Sequence, residues 1–176
     1  MNYEKPKNFY NLSEDELKKI VFDILGKNFF IMKEVTGYFL NKKVRIDAII
    51  KPKKQNEWAN KNIEFGIEFK SPKLFAENIQ LNKITKSIAQ CVDYTYTKFD
   101  GHNYLRIFLC PSLLPLNTEN IYFKHFLAQL GVGELSFYSK YHGLALILNG
   151  NDIIWSQYHG VKKGKYQKFL KRIGSR

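Results

Sequence analysis

Cysteine is nearly absent from this chain. Cys91 and Cys110 are the only two, which excludes both a disulfide framework and a thiolate metal cluster. Both are expected as reduced core residues in an intracellular, cytoplasmic protein. The four histidines, His102, His125, His142 and His159, stand at no ligand spacing. No glycine-rich phosphate loop occurs, since Gly131-Val132-Gly133 reads as a turn, so ATP use is not indicated. No apolar run approaches membrane-spanning length, and Met1 to Lys7 is polar, unlike a secretory signal. The expectation is a soluble protein with no membrane partner. Repeats and low-complexity segments are also absent. Acidic residues are scarce: 16 against 28 lysines and arginines, a net charge of +12 and a pI near 9.6. The shortage is sharpest after residue 160. There Lys162, Lys163, Lys165, Lys168, Lys171, Arg172 and Arg176 stand without an acid and carry more than half of the net charge.

What is present supports one packed domain. The chain has 176 residues, 44% of them hydrophobic and 15% aromatic, enough for a sizeable single core. Residues 1–160 are read as that domain and 161–176 as a basic extension. Tyr166, Phe169, Leu170 and Ile173, interleaved with the cations, suit a short helix packed on the body. The excess charge favours a polyanionic partner, nucleic acid ahead of an anionic membrane surface. Phosphate contacts from the extension would give affinity with little sequence information.

Periodicity and punctuation give the elements. Ser13 and Glu16 form a capping-box signature before Leu17, Ile20, Val21 and Ile24 at helical spacing, with Gly26 as the stop. A strand-like stretch runs from Phe29 to Leu40, with Gly37 as a bulge or bend. Strands around Val44–Ile50 and Ile63–Lys70 flank a basic loop in which Lys53, Lys54 and Trp58 either reach towards a partner or, for Trp58, fold onto the core. A helix is expected from near Asn78 to Lys98, a buried strand over Leu105–Cys110, and a helix over Asn120–Leu130. Three further strands follow, the last two joined by an Asn149-Gly150 hairpin turn. The order predicts an α/β (α+β) fold, a mixed β-sheet flanked by helices.

The chemistry concentrates on the two central strands. Both alternate apolar and polar residues, the period of a half-buried strand. Val44, Ile46, Ala48 and Ile50 are expected on one face, and Arg45, Asp47 and Ile49 on the other. In the next strand Glu64, Gly66, Glu68 and Lys70 share the polar face. Pairing of the strands would gather Asp47, Glu68 and Lys70 on one surface. Two carboxylates and an ammonium suit a hard divalent cation and an activated water. The alternative is a set of solvated ion pairs of little energetic worth.

Asp47, the Glu68-Phe69-Lys70 tripeptide and the preceding acidic helix resemble the PD-(D/E)xK nuclease superfamily over residues 13 to 110. Ile46 stands where the short motif has proline, a departure many members share. The resemblance implies a restriction-endonuclease-like core. It implies Mg²⁺, with Mn²⁺ as a substitute, held by Asp47, Glu68 and the Phe69 backbone carbonyl, and Lys70 assisting the attacking water. Glu14, three residues before Leu17, matches the family's helix glutamate and would hold metal through water or complete a second site; Glu16 competes for that place. Gln90, with Tyr94 beyond it, matches a glutamine that several branches carry. Hydrolysis would leave a 5′-phosphate and a 3′-hydroxyl. Gly66 would let a nucleic-acid backbone come close, and Lys83 and Lys86, on one helical face with Gln90, would touch phosphates. The expected partner is double-stranded or branched DNA, cut by a monomer or by a homodimer that supplies two sites. An RNA nuclease with the same site and a non-catalytic nucleic-acid-binding protein are the alternatives.

Overall fold

In a computed structural model of the chain, residues 9–58, 60–75, 81–102, 105–111, 118–150 and 152–162 are described. Helix α1 (Glu14–Leu25) begins as its sequence dictates. The Ser13 hydroxyl accepts from the Glu16 amide, while the Glu16 carboxylate accepts from the Ser13 amide, which satisfies donors that the first turn leaves open. The helix ends at Gly26, which keeps right-handed backbone angles and donates to Phe22. Strands β1 (Phe29–Phe39) and β2 (Lys42–Pro52) form a long antiparallel hairpin, and β3 (Phe65–Phe69) pairs antiparallel with the second half of β2.

Helix α2 (Leu81–Tyr96) follows, then a two-residue strand β4 (Lys98–Phe99), which the sequence reading folds into the helix. β5 (Arg106–Cys110), α3 (Thr118–Gln129), β6 (Gly133–Ser139), β7 (Gly143–Leu148), β8 (Asp152–Ser156) and β9 (Gly160–Val161) complete the order. Among the described residues this is a mixed α/β fold of three helices and one nine-stranded sheet, in the order β4-β1-β2-β3-β5-β6-β7-β8-β9. The β3–β5 and β5–β6 pairs are parallel, with α2 and α3 in their crossovers. Asn149 and Gly150 both have positive φ in the β7–β8 turn, as the sequence signal requires.

Two cores lie on opposite faces of the sheet. One joins Leu17, Val21, Ile24 and Leu25 of α1 to Phe65, Ile67 and Phe69 of β3. There the sheet curls back on itself, so that Trp155 of β8 meets Phe29 of β1 edge-on with ring centroids 5.1 Å apart. Trp58 belongs to this core and not to a free loop. The other core joins Ile84, Ile88, Cys91 and Tyr94 of α2 and Leu127 of α3 to Ile107 and Leu109. β3 is buried along its whole length. The Gly66 expectation therefore fails: a side chain there would meet Ile107 and Ile46 within 2.6 Å, so the position is filled by core and does not face a ligand. Gly37 is no bulge either. It keeps register with Val44 and Phe99, and it lacks a side chain because β4 lies directly against it.

The bend lies elsewhere. Ala48 and Ile50 pack in the α1-side core, whereas Ile46 and Val44 pack in the α2-side core. A regular strand would put all four on one face, as expected from the sequence. β2 thus turns over at Asp47. Opposite that point, between the Lys33–Ala48 and Val35–Ile46 pairs, Glu34 has φ 57°, left-handed for a residue that disfavours it. Its carboxylate meets Arg45 Nε at 2.8 Å, an exposed pair of small energetic worth. Glu34→Gly should therefore leave stability unchanged or raise it, while Glu34→Val should cost about 1–2 kcal/mol. Urea unfolding of the two variants checks this; equal losses from both would show that the ion pair, not the backbone, decides the position.

Candidate active site at the fork of β2 and β3

The β2–β3 ladder runs from Ile50–Phe65 to Ala48–Ile67 and then stops. One residue further the Phe69 amide donates to Asp47 Oδ2 at 2.7 Å, so a side chain takes over the hydrogen bond. Lys70 continues the strand end by donating its amide to Cys110. The two strands fork, and Asp47 fills the crotch.

Glu68 projects beside it towards α2. It is only 4% exposed, and Lys70 Nζ donates to its carboxylate. Burial, and next the negative charge of Asp47, push the Glu68 carboxyl up to about 7, against the opposing pull of Lys70. Asp47 and Glu68 are thus near neighbours that resist being ionised together. Buried Cys91 lies in the same field, and its thiol is pushed far up by burial first and the Glu68 charge second. It stays protonated and offers no thiolate to a soft metal.

The helix acids separate cleanly. Glu16 is consumed by the cap, and Glu14 faces the site. Glu14 does not reach Asp47 directly, however. Lys18 Nζ stands 2.8 Å from Glu14 Oε1 and 2.8 Å from Asp47 Oδ1, bridging them. Burial alone would lower the Lys18 pKa, but the hydrogen bonds to Asp47 and Glu14 outweigh it and raise it. Lys18 is the residue that sequence reasoning missed. Its signal was the i,i+4 spacing from Glu14, which puts both on one helical face.

Gln90 lies near the fork but bonds elsewhere. Its side chain donates to the Tyr94 hydroxyl at 2.6 Å, and that hydroxyl donates to the Arg45 carbonyl at 2.7 Å. The pair ties α2 to β2 two residues before Asp47, a positioning role. Lys83 and Lys86 are exposed on α2, and Lys162 is exposed after β9. Lys163, Lys165, Lys168, Lys171 and Arg172 lie outside the described residues. A cleft of about 460 Å³ lined by Lys27, Trp58, Trp155 and His159 borders Pro52, at the C-terminal end of β2, and no site residue lines it.

Among the described residues, no group of three or more histidine, cysteine, aspartate or glutamate side chains converges on one point. The fork offers two carboxylates and the backbone oxygens around them. That is too little for a closed all-protein cage, and it suits Mg²⁺, which keeps several waters and takes one or two carboxylates. Compared with known protein families, with curated proteins and with solved structures, the chain matches none. Among the described residues no helix is long and apolar enough to cross a membrane.

The Glu68 shift has a definite sign. The folded-state value lies above the ordinary 4.5, so the native state binds more protons than the unfolded chain between those values. Stability present near pH 4.5 is lost as pH rises through about 7, by up to about 3 kcal/mol. Glu68→Gln should remove that slope and raise the melting temperature at pH 8. Thermal melts from pH 5 to 8 measure both effects; a variant as pH-sensitive as the parent would place the proton elsewhere.

Proposed function

We propose that the chain is a Mg²⁺-dependent nuclease acting on DNA, with a restriction-endonuclease-like core and the β2–β3 fork as its active site. The observation that carries this reading is the meeting of Asp47 with buried Glu68, with Lys70 bonded to Glu68. A protein that needed only a stable fold would gain nothing from two facing carboxylates, one of them desolvated. A divalent cation offsets their charge.

Asp47 and Glu68 would hold that ion, with the Phe69 carbonyl as the adjoining oxygen donor. When bound, it neutralises the scissile phosphate and makes a coordinated water acidic. The remaining work falls to the chain. The Phe69 amide fixes one oxygen of Asp47 and Lys18 fixes the other, so the carboxylate cannot rotate away. Lys70, bonded to Glu68, would hold the attacking water or meet the negative charge that grows on phosphorus. The Gln90–Tyr94–Arg45 chain holds β2 at the level of the fork. Exposed Lys83 and Lys86, and the basic extension from Lys162 onward, supply phosphate contacts that do not depend on sequence. One such site cuts one strand. Scission of a duplex or a junction would take two events or a two-fold dimer.

Glu14 adds a part beside the one its motif position implies: one carboxylate oxygen bonds Lys18, which delivers a fixed positive charge to Asp47. The proposed site therefore carries one exchangeable cation and one built into helix α1.

Cleavage of supercoiled plasmid and of a labelled branched duplex tests the proposal. Nicking should require Mg²⁺ or Mn²⁺ and stop in EDTA. Asp47→Ala should abolish it while leaving DNA binding intact, and Lys70→Ala should slow it by about 10²–10³-fold. Salt-sensitive binding without metal-dependent cleavage of DNA or RNA would leave a binding protein. A second outcome concerns Lys18. Lys18→Met leaves Asp47 and Glu14 without their cation and should lower stability by about 1–3 kcal/mol in EDTA. Millimolar Mg²⁺ should restore more of that loss in the variant than it adds to the parent. Differential scanning fluorimetry reads both; an equal shift in the two proteins would deny Lys18 its electrostatic role.

A further inference from the structure

We infer that the tip of the β1–β2 hairpin is a wedge for interrupted duplex DNA, with Leu40 entering the base stack and a Lys98–Tyr38–Lys43 row gripping the strand beside it. The inference rests on the nuclease reading for the identity of the polymer, and it names the class of substrate.

Leu40 is the first observation. It is 79% exposed and sits in a two-residue turn with φ 45°, followed by Asn41 with φ 63°. Such turns favour Asn-Gly, because two successive residues must adopt left-handed angles. A leucine there is strained by its backbone and gains nothing from burial. Neither turn chemistry nor packing accounts for it.

The second observation is the row beneath it. Tyr38 pairs with Lys43 of β2 on one side and with Lys98 of β4 on the other. Residues in one such row project to the same face. The next row, Val44–Gly37–Phe99, packs towards α2, so the Lys98–Tyr38–Lys43 row faces away from it. Tyr38 is half exposed, and both lysines are exposed. An aromatic ring between two cations offers a stacking surface for a base and partners for the flanking phosphates. Lys42 adds charge at the tip. The acids nearby are Glu34, which is bonded to Arg45, and Asp100 beside β4. The surface remains net positive, as a polyanion requires.

The third observation is position. Lys43 lies four residues from Asp47 on the same strand, about 13 Å. Leu40 is then about five base steps from the proposed cleavage site. Apolar side chains that unstack bases do so most readily where stacking is already broken. A nick, a fork or a branch meets that condition; continuous duplex does not.

The test uses the full chain in EDTA, so that binding is read without cleavage. The probes are a forked duplex with 2-aminopurine next to the branch, and a continuous duplex of the same length. The parent should bind the fork more tightly and raise the 2-aminopurine signal. Leu40→Asn suits the turn and should fold at least as well by thermal melt. It should lose the fluorescence rise and about tenfold of fork affinity, while affinity for continuous duplex changes less than twofold. Lys43→Ala and Lys98→Ala should weaken both duplexes and each reduce the salt slope by about one. Unchanged fork preference and unstacking in Leu40→Asn would overturn the wedge. So would Leu40-dependent binding to phosphatidylserine vesicles without binding to either DNA. Leu40-dependent unstacking in a protein that never cleaves with Mg²⁺ would keep the wedge and remove the nuclease. Cleavage that is intact with an indifferent Leu40 would do the reverse.

Discussion

The hydrogen bond from the Phe69 amide to the Asp47 carboxylate sets the geometry of everything around it. A backbone donor at the end of a strand needs a partner, because leaving it unsatisfied away from water costs as much as a lost hydrogen bond. Here the neighbouring strand does not supply that partner, because β2 turns over at Asp47. The side chain supplies it, and the strands can part without leaving an orphan donor. At the fork that results, charged side chains from β2, β3 and α1 meet.

Charge decides how this cluster is used. Three acids, Glu14, Asp47 and Glu68, and two lysines, Lys18 and Lys70, lie within a short span. Each lysine already has a carboxylate partner, yet burial first and the Asp47 charge second still push the Glu68 carboxyl up. The balance is short of one cation. In the proposed function that shortfall becomes affinity for Mg²⁺, and the basic surface beyond it becomes affinity for a phosphate backbone. On that reading the cluster and the surface belong to one electrostatic design, attractive to cations at its centre and to a polyanion around it.

Much of this was legible in the sequence, for reasons that differ from residue to residue. The α1 start was readable because a capping box is a local contract between Ser13 and Glu16. The β7–β8 turn was readable because Asn149-Gly150 is a backbone preference, and α2 because Ile84, Ile88 and Cys91 repeat at its period. Asp47, Glu68 and Lys70 were identified by pattern, and they do meet in space. The turning-over of β2 was not readable. It arises from Glu34 holding an angle its residue type does not advertise, and it sends Ile46 and Ala48 to different cores although they alternate perfectly in sequence. Gly66 was misread for the related reason that a glycine next to a functional residue looks like room for a ligand, when here it makes room for Ile107 and Ile46. Lys18 escaped notice because its partner Asp47 is 29 residues away, and only the fold brings them together.

Glu68 sets competence and robustness against each other. A carboxyl that titrates near neutrality is an easily emptied ligand: acid fills it with a proton, and its own contribution to the metal-free fold is then at its largest. At alkaline pH the same group is open to a cation, and its contribution to the bare fold is gone. On the proposed reading, the protein would persist in an idle, proton-locked form where metal is scarce and acid is plentiful. In its working form it would depend on its own cofactor as a structural part.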